Sequence, residues 1–139
     1  MTTTTDTSTI ERLSREFNRC FETLDAPEEV FAADAFFDLY PPLWRFQVQG
    51  REPFAAQLRA IAEGEVRARV LRVEPTASGF VLEHEETQRV PGTGDVVARR
   101  IWLCTVRDGR ITDVVGYCNG GWDDALRARH AAEAPMLRP

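Results

Sequence analysis

Lysine is absent from the sequence, so all 17 basic side chains are arginine, and 22 acidic residues outnumber them to give a formal net charge of −5. A domain that binds nucleic acid usually shows a basic balance or a basic face. Because the arginines here are scattered among carboxylates, we expect no nucleic-acid partner.

Long hydrophobic runs are also missing. No stretch approaches the roughly 20 apolar residues of a membrane-spanning helix, and no apolar segment of the signal-peptide type follows the N-terminus. Apolar residues still make up 43% of the 139 residues, an ordinary value for a globular chain of single-domain length. We therefore expect one cytoplasmic domain with no membrane partner.

Cysteine is scarce too. Cys20, Cys104 and Cys118 form an odd set without the short C-x-x-C spacing of zinc and redox sites. Buried thiols in a reducing compartment fit this pattern better than a disulfide framework. We expect no metal site.

From Thr9 the chain shows helical periodicity. Apolar residues recur at spacings of three and four up to Leu24 and predict a first helix, and residues 1–8 before it are expected to form a disordered tail. Asp25 resembles the start of a second, short helix, because a proline lies in its first turn and Glu28 completes a capping box.

The second half of the chain changes to strand periodicity. After an extended stretch over 36–48 and a third helix that stops at Gly64, four strands are predicted, at 66–75, 80–90, 96–107 and 110–118. A last helix is predicted over about 123–132, before a short tail at 134–139. This order predicts an α+β domain over 9–133, in which a curved antiparallel sheet wraps around the N-terminal helices.

Three motifs and the order of these elements resemble a known superfamily. The motifs are Phe31-Ala-Ala-Asp-Ala-Phe-Phe37 at the end of the second helix, Gly50-Arg51-Glu52 at the start of the third, and Asp108-Gly-Arg-Ile111 followed by Tyr117. They are similar to motifs of the nuclear-transport-factor-2-like proteins, which include ketosteroid isomerase, limonene-epoxide hydrolase and the SnoaL polyketide cyclases. The resemblance covers about residues 10–125.

The resemblance implies a cone-shaped fold with a deep apolar pocket for one small-molecule ligand, and a homodimer formed through the outer face of the sheet. It also implies acid–base catalysis without a cofactor, although other members only bind. Because the motifs are structural, they identify the fold better than the activity.

The catalytic residues of two members do not match this chain. The resemblance places the five catalytic positions of limonene-epoxide hydrolase on Glu85, Thr87, Gly116, Phe37 and Leu39. It places the aspartate base of ketosteroid isomerase on Leu39, one residue from Asp38. A shift of one residue in a strand reverses the face, so Asp38 is an alternative base.

Strand 80–90 could turn either face to the pocket, because side chains alternate along a strand. The resemblance favours the face with Val81, Glu83, Glu85, Thr87 and Arg89, and the other face carries Phe80, Leu82, His84, Glu86 and Gln88. Alternation alone does not choose between the two. On the next two strands, the resemblance directs Arg100, Trp102 and Cys118 into the pocket.

Under the favoured register, Glu83 and Glu85 lie across from Arg100 in a poorly hydrated pocket. Two carboxylates cannot both ionise cheaply there, so one would have a raised pKa and could act as an acid at neutral pH. Glu85 is then the candidate base and Glu83 the candidate acid, while Arg100 would stabilise an oxyanion or a carboxylate. A structural Glu–Arg pair across strands is the competing interpretation.

Neighbouring side chains would hold the substrate. Trp44, Phe46 and Trp102 would form an apolar wall, and the further candidates are Phe37, His84, Thr87 and Cys118. Two competing interpretations stay open: His84 could lie on the outer face or at a dimer seam, and Cys118 could be a small buried hydrophobe.

Two functions are compatible with these residues. The first is a cofactor-independent acid–base enzyme, namely an isomerase, cyclase, dehydratase or hydrolase, acting on a small, largely apolar metabolite, polycyclic compounds included. The second is a protein that binds such a molecule, or assists another protein, without chemistry of its own.

Overall fold

Residues 5–138 are described by the computed structural model, which contains three helices and six strands in this range. The helices are α1 (Thr7–Thr23), α2 (Arg51–Ile61) and α3 (Asp124–Glu133). The strands are β1 (Phe31–Tyr40), β2 (Phe46–Gln49), β3 (Glu65–Pro75), β4 (Gly79–Val90), β5 (Gly94–Arg107) and β6 (Arg110–Cys118). The predicted α+β class is confirmed. Within residues 5–138, no helix has the length and apolar character that crossing a membrane would require.

All six strands form one curved, open sheet in the order β2-β1-β6-β5-β4-β3. Neighbouring strands are antiparallel except β1 and β6, which are parallel. The sheet is therefore mixed and not wholly antiparallel as predicted. The chain can place β6 parallel to β1 because α2 and four further strands lie between them and allow the long return that parallel neighbours need.

Helix α1 packs against β3 and β4 and begins earlier than its apolar stripe suggested. Oδ1 of Asp6 accepts a hydrogen bond of 2.8 Å from the backbone N–H of Thr9 and so caps the helix. Thr7 and Ser8, which were expected in a disordered tail, are therefore helical. Residues 1–4 of that predicted tail lie outside the described residues.

The predicted short helix after Asp25 is wrong. The carbonyl of Pro27 accepts hydrogen bonds from the backbone N–H groups of Val30 and Phe31, so this segment forms a turn. In β1, alternate residues from Ala35 to Leu39 are buried. This period of two fits a strand whose one face lies on the core, and the motif that starts at Phe31 belongs to β1.

The other predicted elements lie close to their expected positions. Helix α2 follows Gly50, which has a φ of 99° that favours glycine. Strands β3 to β6 correspond to the four predicted strands, and α3 corresponds to the last predicted helix. Two helices, α1 and α2, precede the four long strands, where three were expected.

A phenylalanine-rich core fills the space between the helices and the concave face of the sheet. Phe37 stacks on Phe54 of α2 with ring centroids 3.9 Å apart, and Phe17 of α1 meets Trp102 edge to face at 5.4 Å. These contacts hold both helices on the sheet. The space that remains between α2, the ends of β1 and β6 and the middle of β5 is a cavity.

Candidate functional site

The inner face of strand β4 is the one that carries His84 and Glu86, and not the face with Glu83 and Glu85 that the resemblance favoured. Phe80, Leu82, His84 and Glu86 are buried, and the residues between them are half-buried on the outer face. The favoured register of this strand is therefore wrong. The physical reason is that His84 and Glu86 find polar partners inside the protein, so that their burial does not leave them isolated.

Glu83 and Glu85 consequently point away from the interior and pair with arginines of neighbouring strands. Glu85 accepts hydrogen bonds from Arg99 at 3.1 Å and from Arg69 at 3.3 Å, and Glu83 lies 3.8 Å from Arg72. The hydrogen bond from Arg99, and then that from Arg69, holds the pKa of Glu85 below its usual range. The predicted acid–base pair facing Arg100 is therefore not formed.

Asp38 and Thr87 also lie on the outer face. Asp38 alternates with the buried residues Phe37 and Leu39 along β1. Arg45 donates hydrogen bonds of 2.8 and 2.9 Å to its two carboxylate oxygens, and this contact lowers the pKa of Asp38. Thr87 lies beside Glu85 in a charged surface groove. The predictions that Asp38 could be a base in the pocket and that Thr87 could contact substrate do not fit these positions.

A cavity of about 350 Å³ lies between α2, the ends of β1 and β6, the middle of β5, and the loops after β1 and β6. Its wall is mainly apolar and includes Phe21, Leu39, Pro42, Phe54 and Leu58. Small-molecule sites typically have a volume and a lining of this kind. Four of the predicted site residues line the cavity: Phe46, Arg100, Trp102 and Cys118.

The remaining predicted binding residues lie elsewhere. Trp44 is 73% exposed in the loop after β1, next to Leu43, whose φ of 59° places it in a tight turn. Phe37 is fully buried beneath Phe54 in the core. His84 is also fully buried, next to Trp102. The apolar wall expected from Trp44 is therefore supplied by Phe46 and by residues of β1 and α2.

Trp102 can lie flat against β6 because Gly116 has no side chain. A Cβ atom at position 116 would come within 2.2 Å of the indole ring and within 3.2 Å of Leu39. Glycine within a strand often marks such a close approach. The position of this one residue therefore fixes the indole as a wall of the cavity.

Arg100 is the one charged residue in the cavity lining that the structure describes. Its side chain is 16% exposed, and its Nε lies 3.1 Å from Oε2 of Glu86, which is 3% exposed. The Nε–H is not aligned on that oxygen, and this buried nitrogen has no hydrogen-bond partner among residues 5–138. A guanidinium carries five N–H donors, and Arg100 contributes this group to the lining of the cavity.

A chain of polar contacts fixes the tautomer of His84. Nδ2 of Asn18 donates to the carbonyl of Ala68 at 3.0 Å, so Oδ1 of Asn18 is the acceptor that lies 2.8 Å from Nδ1 of His84. Nδ1 therefore carries the hydrogen, and Nε2 accepts the indole N–H of Trp102 at 3.2 Å. This assignment makes His84 a neutral imidazole in the interior.

Glu86 completes the chain of contacts behind the cavity. Its Oε1 lies 3.4 Å from Nε2 of His84 and has no hydrogen-bond donor among the described residues. A buried carboxylate oxygen without a donor is unusual in a folded protein. Asn18, His84, Glu86 and Arg100 thus form a continuous polar chain from α1 to the cavity.

Asn18 and Glu86 are functional candidates that sequence patterns alone do not single out. Asn18 follows Phe17 at the edge of the apolar stripe of α1, which is a weak signal in sequence alone. Glu86 is two residues after His84 and therefore shares its face in either register. The signal in the sequence is that both residues share a face with the apolar residues Phe80 and Leu82.

The next residues to consider are the cysteines, as nucleophiles, and the side chains that could bind a metal ion. Burial raises the pKa of Cys20 to about 12 and that of Cys104 well above its ordinary value, so both thiols remain protonated at neutral pH. Sγ of Cys118 accepts the backbone N–H of Gly120 at 3.3 Å. No cluster of three His, Cys, Asp or Glu residues within 5–138 has the arrangement of a metal site.

Comparisons with known proteins show similarity in structure. No protein-family model and no curated protein sequence matches the chain. A protein of Jannaschia sp. CCS1, described as a candidate SnoaL-like polyketide cyclase, is 15% identical with a TM-score of 0.64 over 93% of this chain and 94% of its own.

Two other solved structures agree with this result. An epoxide hydrolase of M. tuberculosis, described as LEH-like, is 16% identical with a TM-score of 0.62 over 81% of this chain and 84% of its own. A hypothetical protein of Catenulispora acidiphila with a ketosteroid isomerase-like fold, solved in complex with trimethylamine, is 14% identical with a TM-score of 0.63 over 76% of this chain and 83% of its own. At such low identity these similarities show the fold alone.

Proposed function

Because this chain has the nuclear-transport-factor-2-like fold, we propose that it binds a small, largely apolar molecule in the cavity and recognises an oxygen atom of that molecule through Arg100. The observation that supports this most directly is the guanidinium of Arg100, which lines an apolar cavity and whose buried Nε has no hydrogen-bond partner within residues 5–138. Apolar walls with a few directed polar groups are typical of ligand sites.

The oxygen could belong to a carbonyl or to a carboxylate, because a guanidinium donates to both. Trp102 and Phe46 would contact a ring or an alkyl chain, and Arg100 would orient its polar end. Gln57 and the Cys118 thiol also line the cavity and add polar contacts.

Binding to 2-naphthoate, a planar apolar acid that is fluorescent, tests this proposal. Replacing Arg100 by methionine removes a charge-assisted hydrogen bond, for which we expect a loss of about 1.5–3 kcal/mol, or roughly 10- to 150-fold in affinity. Arg99→Met is the matched control, because Arg99 is the adjacent residue of β5 and pairs with Glu85 on the outer face. Equal affinities of wild type and a folded Arg100→Met protein would contradict the proposal.

The second candidate function is cofactor-independent acid–base catalysis, and the unpartnered Oε1 of Glu86 favours it. In this proposal Arg100 stabilises the oxyanion of an enolate while Glu86, backed by His84, takes or returns the proton. Among the described residues no carboxylate lines the cavity, so a substrate would have to reach Glu86 past Arg100. This requirement is why we rank binding first.

Proton exchange separates the two candidates. A catalyst of this kind should accelerate deuterium exchange at the carbon next to the carbonyl of 2-tetralone in D2O, followed by proton NMR. Glu86→Gln should remove that acceleration, and Glu85→Gln should keep it. If wild type exchanges no faster than buffer alone, the probe supports a binding role.

The outer face of the sheet supports a proposal of self-association. Ile101, Leu103 and Tyr117 are 40%, 42% and 49% exposed on this face, and contiguous exposed apolar surface often marks an interface. We propose a homodimer that buries them. Leu103→Glu should then shift the mass measured by analytical ultracentrifugation to that of a monomer.

The three free thiols are relevant to the cellular compartment of the protein. Cys20, Cys104 and Cys118 are unpaired in the structure. Disulfides are rare in a reducing compartment, and we propose on this basis that the protein works in the cytoplasm.

A further inference from the structure

Glu86 and Arg100 balance one another's charge beside the cavity. Their side chains are 3% and 16% exposed, and Oε2 of Glu86 lies 3.1 Å from Nε of Arg100. With Glu86 ionised and His84 neutral, the three side chains carry no net charge. Burial of an unpaired charge is very unfavourable, which explains why the carboxylate and the guanidinium occur together here.

The other oxygen of Glu86 lies where a proton can be held. Oε1 is 3.4 Å from Nε2 of His84, and no donor within residues 5–138 satisfies it. A hydrogen on Oε1 would point to Nε2, and a hydrogen on Nε2 would point to Oε1. In both arrangements one added proton satisfies the oxygen and is shared by two buried groups, while the indole N–H of Trp102 gives up Nε2 as its acceptor.

An anionic ligand would disturb the charge balance. A carboxylate on Arg100 would bring a second negative charge to one guanidinium in a largely apolar cavity, leaving a net charge of −1. Charges in such surroundings tend to be neutralised by proton uptake. One proton on the Glu86–His84 pair restores a net charge of zero.

We propose that the ligand of this cavity is a monoanion, such as a small apolar carboxylic acid, and that its binding is accompanied by uptake of one proton by the Glu86–His84 pair. This inference rests on the proposed function, since it assumes that the ligand contacts Arg100. It adds the charge class of the ligand and a direction of pH dependence. By linkage, proton uptake on binding makes the affinity for the anion rise as pH falls.

Few other titratable groups could give the same behaviour. Arg100 of β5 and His84 of β4 both face Glu86. On β3, Glu86 is paired with Ala68, whose backbone N–H is bound by the exposed carboxylate of Glu22 from α1. On β6, Cys118 is paired with Arg100. Of the acids and histidines among these, Glu86 and His84 alone are buried.

Calorimetric titration with two probes of nearly the same shape tests the inference. 2-Naphthoate carries a negative charge, and 2-naphthamide does not. At one pH, the heat of binding is measured in two buffers of different ionisation enthalpy, which counts the protons taken up. We expect close to one proton per bound 2-naphthoate and a roughly tenfold loss of affinity per pH unit on the alkaline side, with neither effect for 2-naphthamide.

Variants locate the proton. Glu86→Gln should abolish both the proton uptake and the pH dependence of 2-naphthoate binding, because the glutamine cannot take up the proton. Glu85→Gln, on the outer face, should leave both effects intact. The indole N–H resonance of Trp102 supplies a separate signal, since its acceptor Nε2 changes partners when the proton arrives.

The outcomes distinguish this inference from the proposed function. Binding of both probes without proton uptake would overturn the inference and leave the proposed function standing. Proton uptake that persists in Glu86→Gln would overturn the assignment to Glu86. If neither probe binds at millimolar concentration, the proposed function and the inference fail together. Should Glu86→Gln not fold, the two-buffer comparison on wild type still decides whether a proton is taken up.

Discussion

The two faces of β4 hold acidic side chains in opposite situations, although all of them come from the run Glu83-His84-Glu85-Glu86. On the outer face, Glu85 is bound by two arginines whose side chains are 71% and 51% exposed. On the inner face, Glu86 is almost fully buried against one arginine and one histidine. Ion pairs of the first kind are screened by water and worth little, whereas loss of one partner from the second kind leaves a buried charge.

This comparison teaches that the type of residue is a weaker guide to function than the face on which it lies. The arginines of β5 show the same contrast, because Arg99 and Arg100 are adjacent and point to opposite sides of the sheet. Variants of these two residues therefore test whether the inner and outer faces differ in their contribution to stability.

The largest expected effect is that of Arg100→Met on stability. It leaves Glu86 buried without its charge partner, and we expect the free energy of unfolding to fall by about 3–5 kcal/mol. Arg99→Met should change it by no more than about 1 kcal/mol. Urea unfolding followed by circular dichroism measures both.

A second variant tests whether the unpaired charge is the cause. The double variant Glu86→Gln/Arg100→Met should recover part of the loss, because no charge is then left buried. Equal destabilisation by Arg99→Met and Arg100→Met would contradict the claim that the two faces differ.

A smaller effect is expected for Gly116→Ala. The new methyl group would meet the indole of Trp102 at 2.2 Å before any adjustment, and overpacking of this kind costs about 1–3 kcal/mol. The indole should move into the cavity and weaken 2-naphthoate binding. Adding Trp102→Leu should relieve the clash, so additive effects of the two substitutions would contradict the proposed contact.

The smallest effect is that of Glu85→Gln, and it should depend on pH. Because Arg99 and Arg69 lower the pKa of Glu85, its ionised form stabilises the folded state. That contribution, about 1 kcal/mol or less for an exposed pair, is present above the ordinary glutamate pKa of about 4.3 and is lost as pH falls through the lowered value. A stability difference between wild type and variant that grew on acidification would contradict this sign.

Much of the fold follows from local patterns in the sequence. The stripe from Ile10 to Phe21 is the buried face of α1, and the turn at Asp108-Gly109 joins β5 to β6 as its composition predicts. The segment after Asp25 was misinterpreted because a capping-box pattern also fits a turn. The residues after this turn form β1 because β6 and β2 pair with them, and that pairing exists only in the folded protein.

The site was harder to predict for a related reason. The family resemblance directs Arg100, Trp102 and Cys118 towards the concave face, where they line the cavity. Alternation puts successive residues of β4 on opposite faces. It could not choose the face of β4, because a run of four polar residues puts two on each side. The choice depends on whether His84 and Glu86 find partners, and those partners, Asn18 and Arg100, lie on other elements.

The most direct test of the account is a crystal structure of the protein with 2-naphthoate. We expect the ring against Trp102 and Phe46 within the cavity, and a carboxylate oxygen about 3 Å from a guanidinium nitrogen of Arg100. An empty cavity at saturating probe, or a carboxylate bound instead by the arginines of the outer face, would contradict the claim that this cavity is the functional site.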